Sequence, residues 1–515
     1  MDKASKALYS HKIKSAKEIA ILIGKLPRKN KVIMCHGTFD VVHPGHIRHL
    51  LYAKTKAHIL IASLTSDMHI TKGNMRPYVP EDLRAINLAA LEMVDYVVID
   101  RDATPLKNLA VIKPDFYAKG YEYAANFINP KTAEEIKIVE KYGGEIIFTP
   151  GDVVYSSSAL IELEAPSIAI EKLMTLMNAE KVTFKDLRKS ISRFKGIKIH
   201  VVGDTIVDSY THCSMAGGMT KTPTMSVRLE KKVDYVGGAG VVAKHLKAAG
   251  ADVYFSTVLG DDEYSKFVLN DLNKNNIKSL AIIDKTRPTT NKNAIVVQRY
   301  RLLKLDTVDN RSITEKILLK FENQIHKTKV DAIVFCDFRH GIFNRNTIPS
   351  LIKAIPKGVF KVADSQVASR WGNILEFKYF DLITPNEREA RFALGDQDSV
   401  LRPLARELHK QSKCKTLILK CGNRGIMTYR SDSPDYRAFF NIESFANQVI
   451  DSVGAGDALL AYSTLAMIAT SNNVIASILG NIAAGIECEH DGNCPITPEL
   501  MLKKIDEMEK LIHYS

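Results

Sequence analysis

Short apolar runs alternate with amphipathic helical patterns in the N-terminal third of the chain. An apolar run at Lys31–Met34 precedes an amphipathic pattern over Ile47–Lys56, and a second apolar run follows at His58–Ser63. This order predicts a strand, a helix and a second strand at the spacing of a parallel βαβ unit. Upstream, Ser15 and Glu18 have the spacing of a capping box before an apolar-periodic stretch. The pattern predicts an α/β domain with a helical lead-in.

The same alternation resumes near residue 195 and continues towards the C-terminus. Apolar runs that predict strands lie at Ile197–Val202, Val253–Leu259, Ala332–Cys336, Phe360–Ala363, Leu382–Thr384 and Leu417–Lys420. Between them, residues 225–229 and parts of 294–305 alternate residue by residue, which is typical of half-exposed strands. We therefore expect a mostly parallel sheet covered by helices, with a β lid.

Pro166 and a helical pattern after it separate the two alternating regions. A chain of 515 residues is long enough for two or three domains. We predict one α/β domain over residues 1–165, a helical connector over 166–194 and a second α/β domain over 195–515.

Composition narrows the class of protein. Hydrophobic residues make up 45% and charged residues 25% of the chain, which is ordinary for soluble proteins. No apolar run reaches about 18 residues, and the basic N-terminus lacks the apolar core of a secretory signal. The seven scattered cysteines suit a reducing compartment. We expect a cytoplasmic protein that does not act at a membrane.

The formal net charge of +13 has two explanations, nucleic-acid binding or anionic small substrates. The lysines are spread along the chain, only one tryptophan is present, and no nucleic-acid module is recognisable. We therefore expect anionic small-molecule substrates and no nucleic-acid partner.

A glycine-rich loop near the C-terminus is the first candidate for chemistry. Gly454, Ala455 and Gly456 precede Asp457 and an apolar run. Small residues let backbone N–H groups turn inward, and the positive end of a helix dipole attracts a phosphate. A carboxylate beside that anion suits a general base that accepts the proton of an attacking hydroxyl.

A second candidate loop follows the first predicted strand, where residues 35–46 read CHGTFDVVHPGH. Gly37 lets the backbone pass close to a nucleotide, and His43 and His46 lie where the next helix begins. Lys54, further along that helix, is a candidate for the same phosphates. Two imidazoles and a helix N-terminus suit a triphosphate.

On this string, residues 31–162 resemble the cytidylyltransferase-type nucleotidyltransferases, whose fold is Rossmann-like. The family transfers a nucleotidyl group from CTP or ATP to a phosphorylated alcohol, usually with Mg²⁺. A phosphate nucleophile is already anionic, so the catalyst has only to position two anions and offset developing charge. The resemblance places nucleotide or phosphate contacts at Gly37, Thr38, Phe39, His43, His46, Lys54, Arg84, Lys119, Ser156, Ser157 and Ser158.

Residues 195–515 resemble the ribokinase-like (PfkB) sugar kinases, on Gly237-Gly238, the TPNERE string at 384–389 and the Gly454–Asp457 loop. The resemblance implies that Asp457 is the catalytic base and that Gly454, Ala455 and Gly456 form the anion hole. It implies an indirect Mg²⁺ contact for Glu389, beside Asn386. The implied ATP contacts are Gly422, Gly425 and Asn481, and the implied sugar contacts are Asp204, Asp208, Gly237, Gly238 and Asp337.

Together the two halves resemble the bifunctional ADP-heptose synthases, with the kinase half second, the reverse of the usual order in that family. That resemblance implies phosphorylation of D-glycero-β-D-manno-heptose 7-phosphate at C1, followed by adenylyl transfer that gives ADP-heptose and pyrophosphate. A separate sugar-bisphosphate phosphatase would act between the steps, and the lid would pair subunits into a homo-oligomer. Val241 stands where the kinase family commonly has a sugar-binding asparagine.

Three alternatives stay open from the sequence. In the first, the two chemistries act on another sugar or polyol, with CTP as nucleotide. In the second, one half catalyses while the other only binds ligand or assembles subunits. Nucleic-acid binding is the third, suggested by the net charge.

Overall fold

A computed structural model describes residues 9–70, 76–120, 130–149, 169–216, 225–298, 300–367, 372–431, 438–490 and 492–514. These residues form two compact units, which divide between Leu176 and Met177. The division falls inside the segment that the sequence predicts as a connector. No helix in the described ranges combines the length and apolarity needed to cross a membrane.

The first unit contains one five-stranded parallel sheet in the order β3-β2-β1-β4-β5. Its strands are β1 Val32–Gly37, β2 Ile59–Thr65, β3 Tyr96–Asp100, β4 Phe116–Gly120 and β5 Glu145–Thr149. Its helices are α1 Ala16–Ile23, α2 Pro44–Lys56, α3 Glu81–Ala89, α4 Leu106–Ile112 and α5 Pro130–Lys141. A further helix, α6 Ala169–Ala179, contains the division between the units.

Successive side chains of β1 belong to two different buried clusters, one on each face of the sheet. Ile33 and Cys35 belong to one buried cluster, and Val32 and Met34 belong to another. Successive side chains of a strand point to opposite faces, so β1 is central and buried on both sides. Strand order reverses between β1 and β4, and open parallel sheets bind ligands at the carboxyl ends of strands at such a point. The CHGTFDVVHPGH loop leaves β1 there.

The second unit is built on a nine-stranded sheet in the order β11-β9-β6-β15-β16-β17-β18-β19-β20. Its strands are β6 Lys198–Gly203, β9 Asp252–Ser256, β11 Lys278–Ser279, β15 Ala332–Asp337, β16 Phe360–Ser365, β17 Leu382–Ile383, β18 Thr416–Lys420, β19 Ile426–Tyr429 and β20 Phe439–Ile442. The pairs β18–β19 and β19–β20 are antiparallel, and the other neighbours are parallel. A short parallel pair, β10 Val258–Leu259 and β12 Ile282–Ile283, lies outside this sheet.

The helices of this unit follow the strands as predicted. They are α7 Phe184–Ser192, α8 Ala239–Ala248, α9 Glu263–Lys274, α10 Glu315–Lys327, α11 Thr347–Lys353, α12 Glu387–Leu394, α13 Leu401–Ser412, α14 Ala455–Thr470, α15 Asn473–Cys488 and α16 Pro498–Tyr514. The mixed α/β fold of both units agrees with the predicted fold class.

The predicted lid is a separate four-stranded sheet in the order β14-β13-β7-β8. Its strands are β7 Thr205–Met215, β8 Val227–Gly238, β13 Asn291–Val297 and β14 Tyr300–Thr307. Several of its apolar side chains are exposed, including Leu229, Tyr300, Leu303 and Leu305.

Candidate active sites

The loop after β1 places two imidazoles at the start of α2. His43 is the N-cap residue, and its Nδ1 accepts a hydrogen bond from the N–H of Gly45 at 3.1 Å. The His43 and His46 rings stack with centroids 3.9 Å apart. Phe39, held at a φ of 48°, packs its ring 5.2 Å from that of His46. The structure therefore brings Phe39, His43 and His46 together, as predicted.

Burial favours the neutral form of both histidines. Burial lowers the pKa of His43, and burial followed by the charges of His43 and His49 lowers the pKa of His46 to about 4. Nδ1 of His46 is buried without a hydrogen-bond partner among the described residues. A phosphate oxygen would supply both a hydrogen-bond partner and a compensating charge.

Arg84 is not a free cation facing this loop, so the prediction that it contacts phosphate is corrected. It is completely buried, and its guanidinium donates to the carbonyls of Val79 and Thr65 at 2.9 Å and to Asp67 at 2.6 Å. It also donates to the carbonyl of Thr38. Arg84 therefore stabilises the backbone of the loop, and these hydrogen bonds use four of its five N–H donors.

The structure also places Lys54 away from the predicted phosphate contacts. Its ammonium donates to the carbonyl of His58 at 2.8 Å and pairs with Asp95. It lies in the last turn of α2, ten residues after Pro44. At 1.5 Å per residue this is about 15 Å from the helix start, so Lys54 belongs to the opposite end of the helix.

Lys119 lies at the carboxyl end of β4, beside β1. Its side chain is largely buried, pairs with Glu135 and lies 5.5 Å from the centroid of the Tyr117 ring. Burial and then the charge of Lys119 lower the pKa of His36, the penultimate residue of β1. Lys119 is therefore near the loop but already has an anionic partner. Ser156, Ser157 and Ser158 lie outside the described residues.

Asp40 is a loop residue that the sequence analysis missed. Its carboxylate accepts hydrogen bonds from the backbone N–H groups of Tyr78 and Val79 at 2.9 and 2.8 Å, and from Arg76 at 3.0 Å. It fixes the loop from within. Its position inside the GTFD string was the available signal.

In the second unit, Gly454 has a φ of 87° and is the N-cap of α14. It begins the predicted phosphate loop, Gly454–Asp457. A Cβ at Gly454 would lie 2.4 Å from Oδ1 of Asn493, so glycine is required there. No side chain in the described part of the chain caps this helix. The N–H of Asp457 donates to the Gly454 carbonyl at 2.9 Å, which leaves the N–H groups of Ala455 and Gly456 for an anion. Ala455 and Gly456 form the first turn with Asp457, as predicted.

Asp457 has the electrostatics of a general base. Burial, followed by the charges of Asp364, Glu487 and Glu389, raises its pKa to about 8, against the opposing charge of Lys420. A base is most useful when its pKa lies near the working pH. The raised pKa makes the ionised carboxylate a stronger proton acceptor than an ordinary aspartate, which suits removal of a hydroxyl proton.

Asn386 and Glu389 form a reciprocal cap at the start of α12. The backbone N–H and the side-chain amide of Asn386 each donate to Glu389 at 2.7 Å. Glu389 is 4% exposed, and burial raises its pKa to about 7. A hydrated Mg²⁺ next to this carboxylate would offset the burial of its charge, so the residues fit the predicted indirect contact. The described residues contain no cluster of three or more side chains able to hold a metal by themselves.

One cavity of about 1620 Å³ joins these groups to the lid. Of the predicted site residues, its lining includes Asp208, Gly238, Asn386, Glu389, Gly422, Gly425, Gly454, Ala455, Gly456, Asp457 and Asn481. Gly425 has a φ of 82°, and a Cβ there would lie 2.1 Å from the Ile442 carbonyl oxygen. Val241 also lines the cavity.

Asp204 and Asp337 do not line this cavity, which corrects their prediction as sugar contacts. Asp204 accepts hydrogen bonds from the N–H groups of Phe338 and His340 at 3.0 and 3.2 Å. Asp337 accepts from Ser365 at 2.8 Å and from the amide of Asn373 at 2.9 Å. Both carboxylates organise loops inside the protein.

Asp208 does face the cavity, on the lid. A Cβ on Gly237 would lie 2.0 Å from its Oδ2, so Gly237 provides room for this carboxylate. Lys292 and Lys304 also line the cavity and oppose the effect of burial, which raises the pKa of Asp208. Burial and the charge of Lys304 lower the pKa of Lys292. These lid lysines were not predicted as site residues, since no local sequence motif marks them.

Comparison with known proteins supports the family expected for each half of the chain. A model of cytidylyltransferase-like proteins matches residues 34–163, and a model of pfkB family carbohydrate kinases matches residues 197–500. The chain is 27% identical over 307 residues to the bifunctional protein HldE of Desulfatibacillum aliphaticivorans, covering 58% of this chain and 60% of that protein. It is 38% identical over 138 residues to HldE of Pelobacter propionicus, covering 26% and 27% respectively.

For three proteins named HldE, including the one from Desulfatibacillum aliphaticivorans, the alignment spans 60–65% of the relative's own length. Phosphofructokinase-2 from Escherichia coli, in complex with potassium, aligns with a TM-score of 0.51 at 17% identity, over 61% of this chain and 99% of that one. This likeness supports the ribokinase-like fold. Since the pfkB model covers more than half of the chain, the protein belongs to the pfkB family of carbohydrate kinases.

Proposed function

We propose that the protein is a bifunctional sugar-activating enzyme. Its second unit phosphorylates a sugar phosphate with ATP, and its first unit transfers a nucleotidyl group to the resulting sugar 1-phosphate with release of pyrophosphate. The observation that carries the proposal is the cavity that contains both Asp457 at an anion loop and the lysines of the lid.

The kinase chemistry follows from this arrangement. Asp457 accepts the proton of the acceptor hydroxyl as its oxygen attacks the γ-phosphorus of ATP. The free N–H groups at the start of α14 stabilise the charge of the transferring phosphoryl group. Mg²⁺, when bound beside Asn386 and Glu389, neutralises charge on the nucleotide phosphates.

The lid supports an acceptor that already carries a phosphate. Lys292, Lys304, Arg301 and His212 line the cavity from β7, β13 and β14. Partial burial lowers the pKa of Lys292, so an anion beside it would be favourable. The resemblance to bifunctional ADP-heptose synthases makes D-glycero-β-D-manno-heptose 7-phosphate the acceptor we propose, and ADP-heptose the final product.

The nucleotidyl step needs no protein base, because the sugar 1-phosphate is already an anion. His43 and His46 would bind the phosphates at the positive end of α2 and offset charge on the leaving pyrophosphate. ATP is the nucleotide we propose, with CTP as the alternative. A separate phosphatase would remove the 7-phosphate between the steps.

We further propose a homo-oligomer paired through the lid in a reducing cytoplasm. The exposed apolar side chains of Leu229, Tyr300, Leu303 and Leu305 support pairing, with exposed fractions of 63%, 72%, 58% and 57%.

An acceptor panel tests the function. Purified protein, ATP and Mg²⁺ would be mixed with heptose 7-phosphate, unphosphorylated heptose, hexose phosphates or glycerol phosphate, and ADP release would be followed. Two charge-assisted contacts to the phosphate predict kcat/KM at least about 10²-fold higher for heptose 7-phosphate than for heptose. Equal use of the unphosphorylated sugar would contradict the proposed substrate class. Pyrophosphate release from sugar 1-phosphates with ATP or CTP tests the first unit.

A further inference from the structure

Lys420 is a largely buried cation that lines the kinase cavity and has been given no role so far. It is the last residue of β18, and its backbone N–H donates to the Pro385 carbonyl at 2.9 Å. The strand end is therefore anchored next to Asn386. The Lys420 side chain is 15% exposed, and its ammonium lies 3.2 Å from both carboxylate oxygens of Asp364.

The position of this ammonium is unusual for a purely structural ion pair. A Cβ placed on Gly456 would lie 3.2 Å from Nζ of Lys420. Gly456 is in the first turn of α14, where the helix dipole repels a cation. An anion bound in the phosphate loop would instead be attracted by both the helix end and the lysine.

Acidic neighbours keep this lysine charged despite its burial. Burial lowers its pKa, but Asp364, Glu389 and Asp457 raise it, with a net increase. Asp364 also has a second partner, since Oγ1 of Thr384 lies 3.3 Å from its Oδ1. That carboxylate therefore keeps a hydrogen bond when the ammonium turns away.

We propose that Lys420 is a catalytic residue of phosphoryl transfer, whose ammonium leaves Asp364 and binds the oxygens of the phosphoryl group in transit. This inference rests on the proposed kinase function. In the step, the acceptor oxygen forms a bond to the γ-phosphorus, and the bond from that phosphorus to the β–γ bridging oxygen breaks. The hydroxyl proton goes to Asp457 and the electron pair to ADP, while Lys420 remains protonated throughout.

The test compares three variants of the full chain. Lys420→Met removes the charge at nearly constant length. Lys420→Met with Asp364→Asn removes both members of the ion pair, so the buried carboxylate is no longer left uncompensated. Lys415→Met is the matched control, since Lys415 is an exposed lysine that also pairs with an aspartate, Asp381, at 2.7 Å. Each variant is assayed for ADP release with the best acceptor, and its unfolding midpoint is measured.

We expect Lys420→Met to reduce kcat by about 10²- to 10³-fold, as loss of one transition-state donor does. The double variant should stay within a few-fold of that reduced kcat, and Lys415→Met should match the wild type. If Lys420 only neutralises Asp364, the double variant regains most of the wild-type kcat, which would overturn the inference. So would a Lys420→Met kcat above about a tenth of wild type.

A pH series excludes an indirect effect through Asp457. The charged groups that face Asp457 are Asp364, Glu389, Glu487 and Lys420, so removing Lys420 raises the pKa of the base. An indirect effect would disappear above the raised pKa, whereas loss of a phosphoryl contact persists at every pH. Recovery of wild-type kcat near pH 10 would overturn the inference. If the wild type itself transfers no phosphoryl group, the proposed function fails, and that outcome is distinct from the ones above.

Discussion

Replacing Asp457 with asparagine should abolish phosphoryl transfer and at the same time stabilise the protein. The substitution removes the carboxylate that we propose as the base for the acceptor proton, so kcat should fall by about 10³- to 10⁴-fold. It also removes a carboxylate whose ionised form is destabilised by burial, and this destabilisation raises its pKa from 3.8 to about 8 in the folded state. Loss of activity with a gain in stability distinguishes a functional group from a structural one.

The size of the gain in stability follows from the pKa shift of Asp457. About four pKa units at about 1.4 kcal/mol each give an upper bound near 6 kcal/mol. Water in the open cavity screens part of this, so we expect roughly 2–3 kcal/mol at pH 9. The carboxyl group contributes fully to stability below its unfolded pKa, and that contribution is lost as pH rises to its folded pKa. The gain in the variant should therefore be below about 1 kcal/mol at pH 5.

Denaturant unfolding of the wild type and of Asp457→Asn at pH 5 and pH 9 measures this difference. Asp261→Asn serves as the control, because Asp261 makes an exposed pair with Lys285 and should change neither activity nor stability. Equal or lower stability of Asp457→Asn at pH 9 would refute the electrostatic argument. Full activity in that variant would refute the assignment of the base.

Three further predictions concern the other site groups. His46→Ala should abolish pyrophosphate release and leave acceptor-dependent ADP release within two-fold, because His46 belongs to the first unit; parallel loss of both activities would contradict separate centres. Glu389→Gln should raise the Mg²⁺ concentration for half-maximal kinase rate by about 10- to 100-fold, measured by titration at fixed ATP, and an unchanged requirement would contradict its proximity to the metal. Lys292→Met should raise KM for the phosphorylated acceptor by about 10- to 100-fold, with little change for ATP, and an equal effect on both would contradict a lid subsite.

Local patterns predicted the parts of each site that are continuous in sequence. The capping box at Ser15 is formed as expected, with the Ser15 N–H donating to Glu18 at 2.8 Å. The loop-to-helix transitions at His43 and Gly454 are likewise where their glycines, proline and following apolar runs placed them. Short-range sterics and capping determine such features, so the sequence carries them directly.

Features that depend on sheet order or on burial were not predictable in this way. Asp364 and Lys420 come from the ends of β16 and β18 and meet only because the short β17 lies between these strands. Arg84 and Asp204 have the residue types of a ligand site, but three-dimensional packing turns them inward to hold loops. A sequence pattern identifies a hydrogen-bond donor or acceptor, but it does not show whether another group of the protein already bonds to it.

The most direct test of a two-centre enzyme follows the phosphorus atoms of ATP. Wild-type protein, heptose 7-phosphate and a sugar-bisphosphate phosphatase would be incubated with ATP labelled at either the γ or the α phosphorus, and the products would be separated. Our account predicts a single nucleotide sugar that carries the γ label next to the sugar and the α label next to the nucleoside. Label in the nucleotide sugar from only one of the two ATP preparations, or from neither, would contradict it.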